Sequence, residues 1–239
     1  MNSIPSMQSN IDDEGVEVMS ETTKITVKVY ESLYANFSKQ IDDLHIKKDS
    51  FLNSMIREEI PYLAEEMKGL RLSTKANRYI SGELKKMGTK PVNIVVDKST
   101  AMALNAIVEE SNMVRDAFFN RLIMLLRSSS GLLKYLELPE FITGSEFDSY
   151  VEPMPTSPMN AMQAIHSDPM FYLRVAARER YNSGLYLLPL PAKFEGFSCY
   201  LDDEFVPGTK ENAASVKASK KLLDALGNLE AEAFKKPVK

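Results

Sequence analysis

One helix is spelled twice in this chain. The stretch "IKKDSFLNSMI", beginning at Ile46, is answered 67 residues later by "MVRDAFFNRLI" from Met113. Lys48 is matched by Arg115, Asp49 by Asp116, Phe51 by Phe118, Asn53 by Asn120 and Ile56 by Ile123. The same offset carried upstream keeps its register. "KITVKV" at residues 24–29 puts Ile25, Val27 and Val29 on one face and Lys24, Thr26 and Lys28 on the other. "PVNIVV" at residues 91–96 does the same with Val92, Ile94 and Val96 against Pro91, Asn93 and Val95. This alternation is the period of a half-buried strand. Between strand and repeated helix, a segment from Ser32 presents Phe37, Ile41 and Leu44 at helical spacing, and one from Ser99 presents Leu104 and Val108. Ser99 reads as an N-cap. Each copy therefore predicts strand, helix, turn, helix.

Such a unit cannot satisfy itself. A lone strand leaves its backbone donors and acceptors without a ladder, so the strand must pair with another while the helices interlock. Phe51, Leu52, Ile56, Phe118, Phe119 and Ile123 fall at helical spacing and are expected as core between those helices, not as an aromatic wedge for a ligand.

Composition narrows the chemistry. At 239 residues with 44% apolar content, the chain is long enough for one large domain or two to three small ones. No apolar run approaches the roughly eighteen residues of a membrane span, and no basic-then-apolar leader is seen, which predicts a soluble, cytoplasmic protein with no membrane partner. Cys199 is the only cysteine, and His45 and His166 are the only histidines. Thiolate cages, intrachain disulfides and histidine-rich metal sites are excluded, and no cofactor is expected. Cys199 with His166 lacks an orienting third group, and the consecutive acids Asp202, Asp203 and Glu204 do not share a face, so neither enzymatic activity nor a metal site is read here.

The net charge of −4 hides an uneven distribution. Met1 to Thr23 carries five acids and no base, while Pro61 to Lys90 carries seven bases against three acids. Positive charge sits between the two copies, so a local basic surface is compatible with an acidic chain.

The order of elements together with "LHIKKDSFLNSMIREEI" resembles the ribbon-helix-helix family, to which the Arc and MetJ type repressors belong. The resemblance covers residues 24–63 and 91–130. It implies a mainly α fold with a short two-stranded antiparallel ribbon, in which tandem ribbon-helix-helix copies form an intramolecular pseudo-dimer beside a mixed α/β C-terminal region. The family inserts its ribbon into the DNA major groove, which is wide enough for two strands and presents a distinct donor and acceptor pattern at each base pair. Pairing centred on Thr26 and Asn93 sets Lys24 across from Val95 and Lys28 across from Pro91. By resemblance, Lys24, Thr26, Lys28, Asn93 and Val95 are the base-contacting residues. The phosphate contacts of the family carry over to the start of the second helix, where free N–H groups favour an anion. These positions are Lys47, Lys48 and Ser50 in the first copy and Arg115 in the second; Asp49 and Asp116 are expected to be caps. The plainer alternative makes the outer strand residues a solvated edge.

The remaining segments read as an acidic tail (1–23), a basic helical connector (64–90) started by Ser73 and stopped by Gly88, and a C-terminal region (131–239). Arg71, Lys75, Arg78, Lys85, Lys86 and Lys90 of the connector are either further phosphate contacts or a solvated face. In the C-terminal region, residues 144–159 read as a linker or loop, and Ser167 or Asp168 starts a helix that ends before Gly184. Residues 185–205 are strand-prone though broken by Pro189 and Pro191, and a long helix follows. The expected function is a sequence-specific, double-stranded-DNA-binding transcriptional regulator. The doubled architecture is similar to that of regulators of mobile-element and plasmid-transfer genes. The C-terminal region is expected to form a homodimer, contact RNA polymerase or another regulator, or support the fold. The alternative is an antitoxin or relaxosome accessory protein whose C-terminal region binds a protein partner.

Overall fold

The computed structural model describes residues 21–141 and 156–233, with side chains described as far as residue 226. Most of the acidic tail and most of the expected linker lie outside the described residues. Strand β1 spans Thr22–Tyr30 and leads directly into α1 (Glu31–Asp43) and α2 (Lys48–Glu66). Helix α3 (Thr74–Lys86) then returns the chain to β2 (Thr89–Asp97), followed by α4 (Lys98–Ser111) and α5 (Arg115–Arg127). β1 and β2 form one antiparallel ribbon in which Thr26 faces Asn93, Lys24 faces Val95 and Lys28 faces Pro91. The inner residues Val27, Val29, Ile94 and Val96 are buried.

The helices cross between copies. α2 packs on β2 and α4, whereas α5 packs on β1 and α1. Phe51, Leu52, Ile56, Phe118, Phe119 and Ile123 all lie in the resulting core. Both inter-helix turns close with the same bond, Ile46 N–H to Ile41 C=O and Met113 N–H to Val108 C=O. Leu44 departs from expectation. It caps α1 at its C-terminus and is 66% exposed, because the helix ends one residue before it and its side chain leaves the inner face. Ser99 is not an N-cap either: α4 follows β2 without a loop, so Asp97 holds the cap position and Ser99 lies inside the helix.

The connector behaves as its caps dictate. Ser73 Oγ accepts from Ala76 N–H, and Gly88 adopts φ +74° just past the helix end, a conformation that a side chain would strain.

After α5 the chain folds back over the same core. This part holds α6 (Ser130–Tyr135), α7 (Pro158–Ser167), α8 (Phe171–Tyr181) and α9 (Lys210–Ala233), and between α8 and α9 the backbone is irregular and includes 3₁₀ segments at Ala192–Phe197 and Asp203–Phe205. No strand forms between residues 185 and 205, so the region is not mixed α/β among the described residues. Leu185, Tyr186, Leu188, Phe197 and Cys199 are instead inserted singly into the core. α8 begins at Phe171, after a turn in which Asp168 accepts from Met170 N–H, and ends at Asn182 in the left-handed conformation. Among the described residues no helix is long and apolar enough to cross a membrane.

Buried charge ties this region to the helices beneath it. Arg121 is completely enclosed and donates to the carbonyls of Leu185 (2.9 Å) and Leu188 (2.7 Å). Arg174 grips Glu59 through both terminal nitrogens, at 3.1 and 3.0 Å, and also reaches Asp168. Tyr186 OH adds a bond to Glu59 at 2.9 Å. Glu66 accepts the N–H groups of Tyr186 and Leu187. Its burial raises its proton affinity, a shift opposed by those bonds and by Arg121.

Candidate nucleic-acid interface

The outer face of the ribbon is open. Lys24, Thr26, Lys28, Pro91 and Asn93 are exposed and Val95 is half-buried. At its centre Thr26 Oγ1 donates to Asn93 Oδ1 at 2.8 Å. That bond fixes the amide so that Nδ2 remains a free donor and Oδ1 keeps a second lone pair. One wet side therefore presents two ammonium groups, a hydroxyl, an oriented amide and an apolar β-branched group, all on the same strand pair.

Two asparagines that the repeat aligned, but to which sequence reasoning gave no role, hold this ribbon in place. Asn120 on α5 accepts Tyr30 N–H at 2.8 Å and donates to the Lys28 carbonyl at 2.8 Å and the Asp116 carbonyl at 2.7 Å. Asn53 on α2 accepts Asp97 N–H at 2.9 Å and donates to the Asp97 carboxylate at 3.0 Å. Tyr30 and Asp97 are themselves 67 residues apart. Each copy's helix thus clamps the end of the other copy's strand at the equivalent position.

The start of α5 flanks the ribbon, and the start of α2 is the equivalent position of the other copy. Neither has a side-chain cap: Lys47 and Val114 occupy the cap positions, and Asp49 and Asp116 lie in the first turns. The expectation that these aspartates are caps fails because each sits one residue inside the helix, where an acid complements the helix dipole without closing the end. First-turn N–H groups are consequently left without a side-chain acceptor. Lys47 and Ser50 are exposed there. Lys48 is half-buried, with Nζ 5.3 Å from the Tyr34 ring centroid and 3.5 Å from Ser38 Oγ. Arg115 reaches across to the ribbon and donates to the Thr26 carbonyl at 3.0 Å, which places its guanidinium beside the strand rather than away from it.

The connector's cations divide into two sets. Arg71 donates to the last carbonyls of α4, at Glu109 and Glu110; Lys86 pairs with Glu83 and Lys90 with Glu31. Lys75, Arg78 and Lys85 are exposed and make no ion pair among the described residues. Lys85 shares an open cleft of about 530 Å³ with Lys28, Pro91 and the start of α5. The basic connector is therefore continuous with one end of the ribbon's outer face.

The residues set aside in the sequence lie elsewhere. Cys199 is fully buried, and burial pushes its thiol up to about 12. His166 is exposed on α7, its ring edge-on to Phe51. Asp202 accepts from Tyr200 OH and Asp203 from Ser73, and no group of three or more potential metal ligands occurs among the described residues. No protein-family model, curated protein or solved structure matches this chain.

Proposed function

We propose that this chain is a sequence-specific DNA-binding transcriptional regulator whose two strand-helix-helix copies make an intramolecular pseudo-dimer and insert their ribbon into the major groove. The central pairing of Thr26 with Asn93 carries this reading. These residues are equivalent positions of the repeat, so every residue and its equivalent lie at equal distances from the ribbon's centre. The reciprocal clamps from Asn53 and Asn120 support the same two-fold relation.

The outer face has the chemistry that base edges require. Asn93 matches the N6 and N7 positions of adenine, Lys24 and Lys28 match O6 and N7 of guanine, and Val95 and the Thr26 methyl suit a thymine methyl. The two strands differ in sequence, so a single ribbon reads an asymmetric site. Lys47, Ser50 and the uncapped N-terminus of α2 grip phosphates on one side. Arg115, Lys85 and the start of α5 do so on the other.

The test separates base reading from phosphate gripping. Asn93→Ala and Lys28→Ala are expected to cost about 1 to 3 kcal/mol on the preferred site and to relax preference at one base pair each, whereas Lys47→Ala weakens binding to every sequence and lowers the salt slope. Unchanged affinity and preference in Asn93→Ala would remove the ribbon from the interface.

A further inference from the structure

Helix α3 occurs once, between the two copies of the repeat. Its buried side, Ala76, Ile80 and Leu84, and the hydrogen bond from Tyr79 OH to Glu195 hold it against the core. On another side Thr74, Arg78, Ser81 and Lys85 recur at intervals of four, three and four residues, which sets them in one stripe along the helix. All four are exposed. The acid of α3, Glu83, lies off this stripe and pairs with Lys86.

The stripe runs into the ribbon's outer face. Ser81 and Lys85 line the same open cleft as Lys28 and Pro91, at the end of the ribbon where Tyr30 faces Thr89. Among the charged residues lining that cleft, Lys28 and Lys85 outnumber Asp116. Arg78 lies seven residues, about 10 Å, farther along α3. Cations and hydroxyls so placed, with no acid on the stripe, suit the phosphates of a DNA strand leaving the ribbon.

The opposite end of the ribbon is charged differently. Thr22 faces Asp97 there, and Lys98 is occupied by Glu21 at 2.9 Å. The repeat's offset of 67 maps α3 onto residues 7–19, which lie outside the described residues and carry Asp12, Asp13, Glu14 and Glu17 with no base. Wherever those residues lie, they bring no cation.

We propose that α3 is a one-sided phosphate-binding helix, so that the chain grips duplex DNA farther out on the Tyr30 and Thr89 side of its site than on the other. Arg78 and Lys85 supply the charge, and Thr74 and Ser81 the hydroxyl donors. This rests on the DNA-binding reading and adds to it a fixed polarity on the duplex.

The probe is the duplex that the full chain enriches from a random pool. Hydroxyl-radical footprinting is expected to show protection that reaches farther on one flank of the enriched motif than on the other. Arg78→Ala/Lys85→Ala should keep the wild-type thermal transition and the same enriched motif, and lose the extra protection. It should also bind about tenfold more weakly and reduce the slope of log affinity against log salt by about 2, one for each cation removed. Lys86→Ala, off the stripe, should do none of these. Asn93→Ala on the same duplex separates the two claims. If it weakens binding while protection is even on both flanks, or while Arg78→Ala/Lys85→Ala binds as the wild type does, the role of α3 is overturned and the ribbon stands. If no duplex is enriched, or Asn93→Ala binds unchanged, the ribbon reading fails and the role of α3 with it.

Discussion

Asn120 makes three hydrogen bonds with one amide, two of them to the backbone of a strand 90 or more residues away. Asn120→Ala leaves the Tyr30 N–H and the Lys28 carbonyl without that partner in a water-poor region, and should lower stability by about 2 to 4 kcal/mol. Asn53 is less buried and, among the described residues, its side-chain bonds are to Asp97, so Asn53→Ala should cost about half as much on the same scale. Urea denaturation of the two variants checks the order; equal or negligible losses would mean that the clamps do not hold the ribbon. The repeat displayed this pair of asparagines, but not their use. Periodicity reports which side of a helix is apolar, and it is blind to a polar side chain aimed at another strand's backbone. The outer ribbon face was more legible, because strict alternation assigns each residue to a side.

At the scale of elements, the sequence was readable wherever one face meets water. Both strands, the repeated helices and the connector with its Ser73 and Gly88 ends follow from alternation, helical spacing and capping chemistry. Residues 185–205 misled because their buried positions, Leu185, Tyr186, Leu188 and the run from Gly196 to Cys199, follow no strand alternation, while Pro189, Lys193 and Phe205 between and beyond them are exposed. There an apolar run carries no period, and Pro189 and Pro191 deny it a ladder. Their backbone instead approaches α3 closely. A methyl group on Gly196 would lie 2.7 Å from the Leu84 backbone nitrogen, which a side-chain rotation cannot relieve. Gly196→Ala should therefore destabilise the protein by about 1 to 3 kcal/mol through overpacking, read as a lowered denaturation midpoint with an unchanged slope. A midpoint equal to wild type would show that α3 and this segment move apart freely.

For the whole molecule, the C-terminal half completes the core that the two copies begin. Glu59 and Arg121 are buried on α2 and α5, and their partners come from residues 174–188. No local pattern could reveal this, since Glu59 and Arg174 are 115 residues apart. Truncation after Ser130 strands one buried carboxylate and one buried guanidinium and exposes Phe118 and Phe119. The shortened chain should lose its cooperative thermal transition. Arg174→Met alone should cost about 3 to 5 kcal/mol, because Glu59 is left charged and unpaired, and Glu59→Gln should recover part of that loss in the double variant. A truncated chain that melts like the full protein would show the ribbon and its helices to be self-sufficient.

The most direct test of the ribbon as a reader of DNA is selection of bound sequences from a random duplex pool at physiological salt, followed by a salt titration on the winner. The account predicts one enriched motif that is asymmetric within each ribbon's footprint, with affinity falling steeply as salt rises. Failure to enrich any sequence would contradict it.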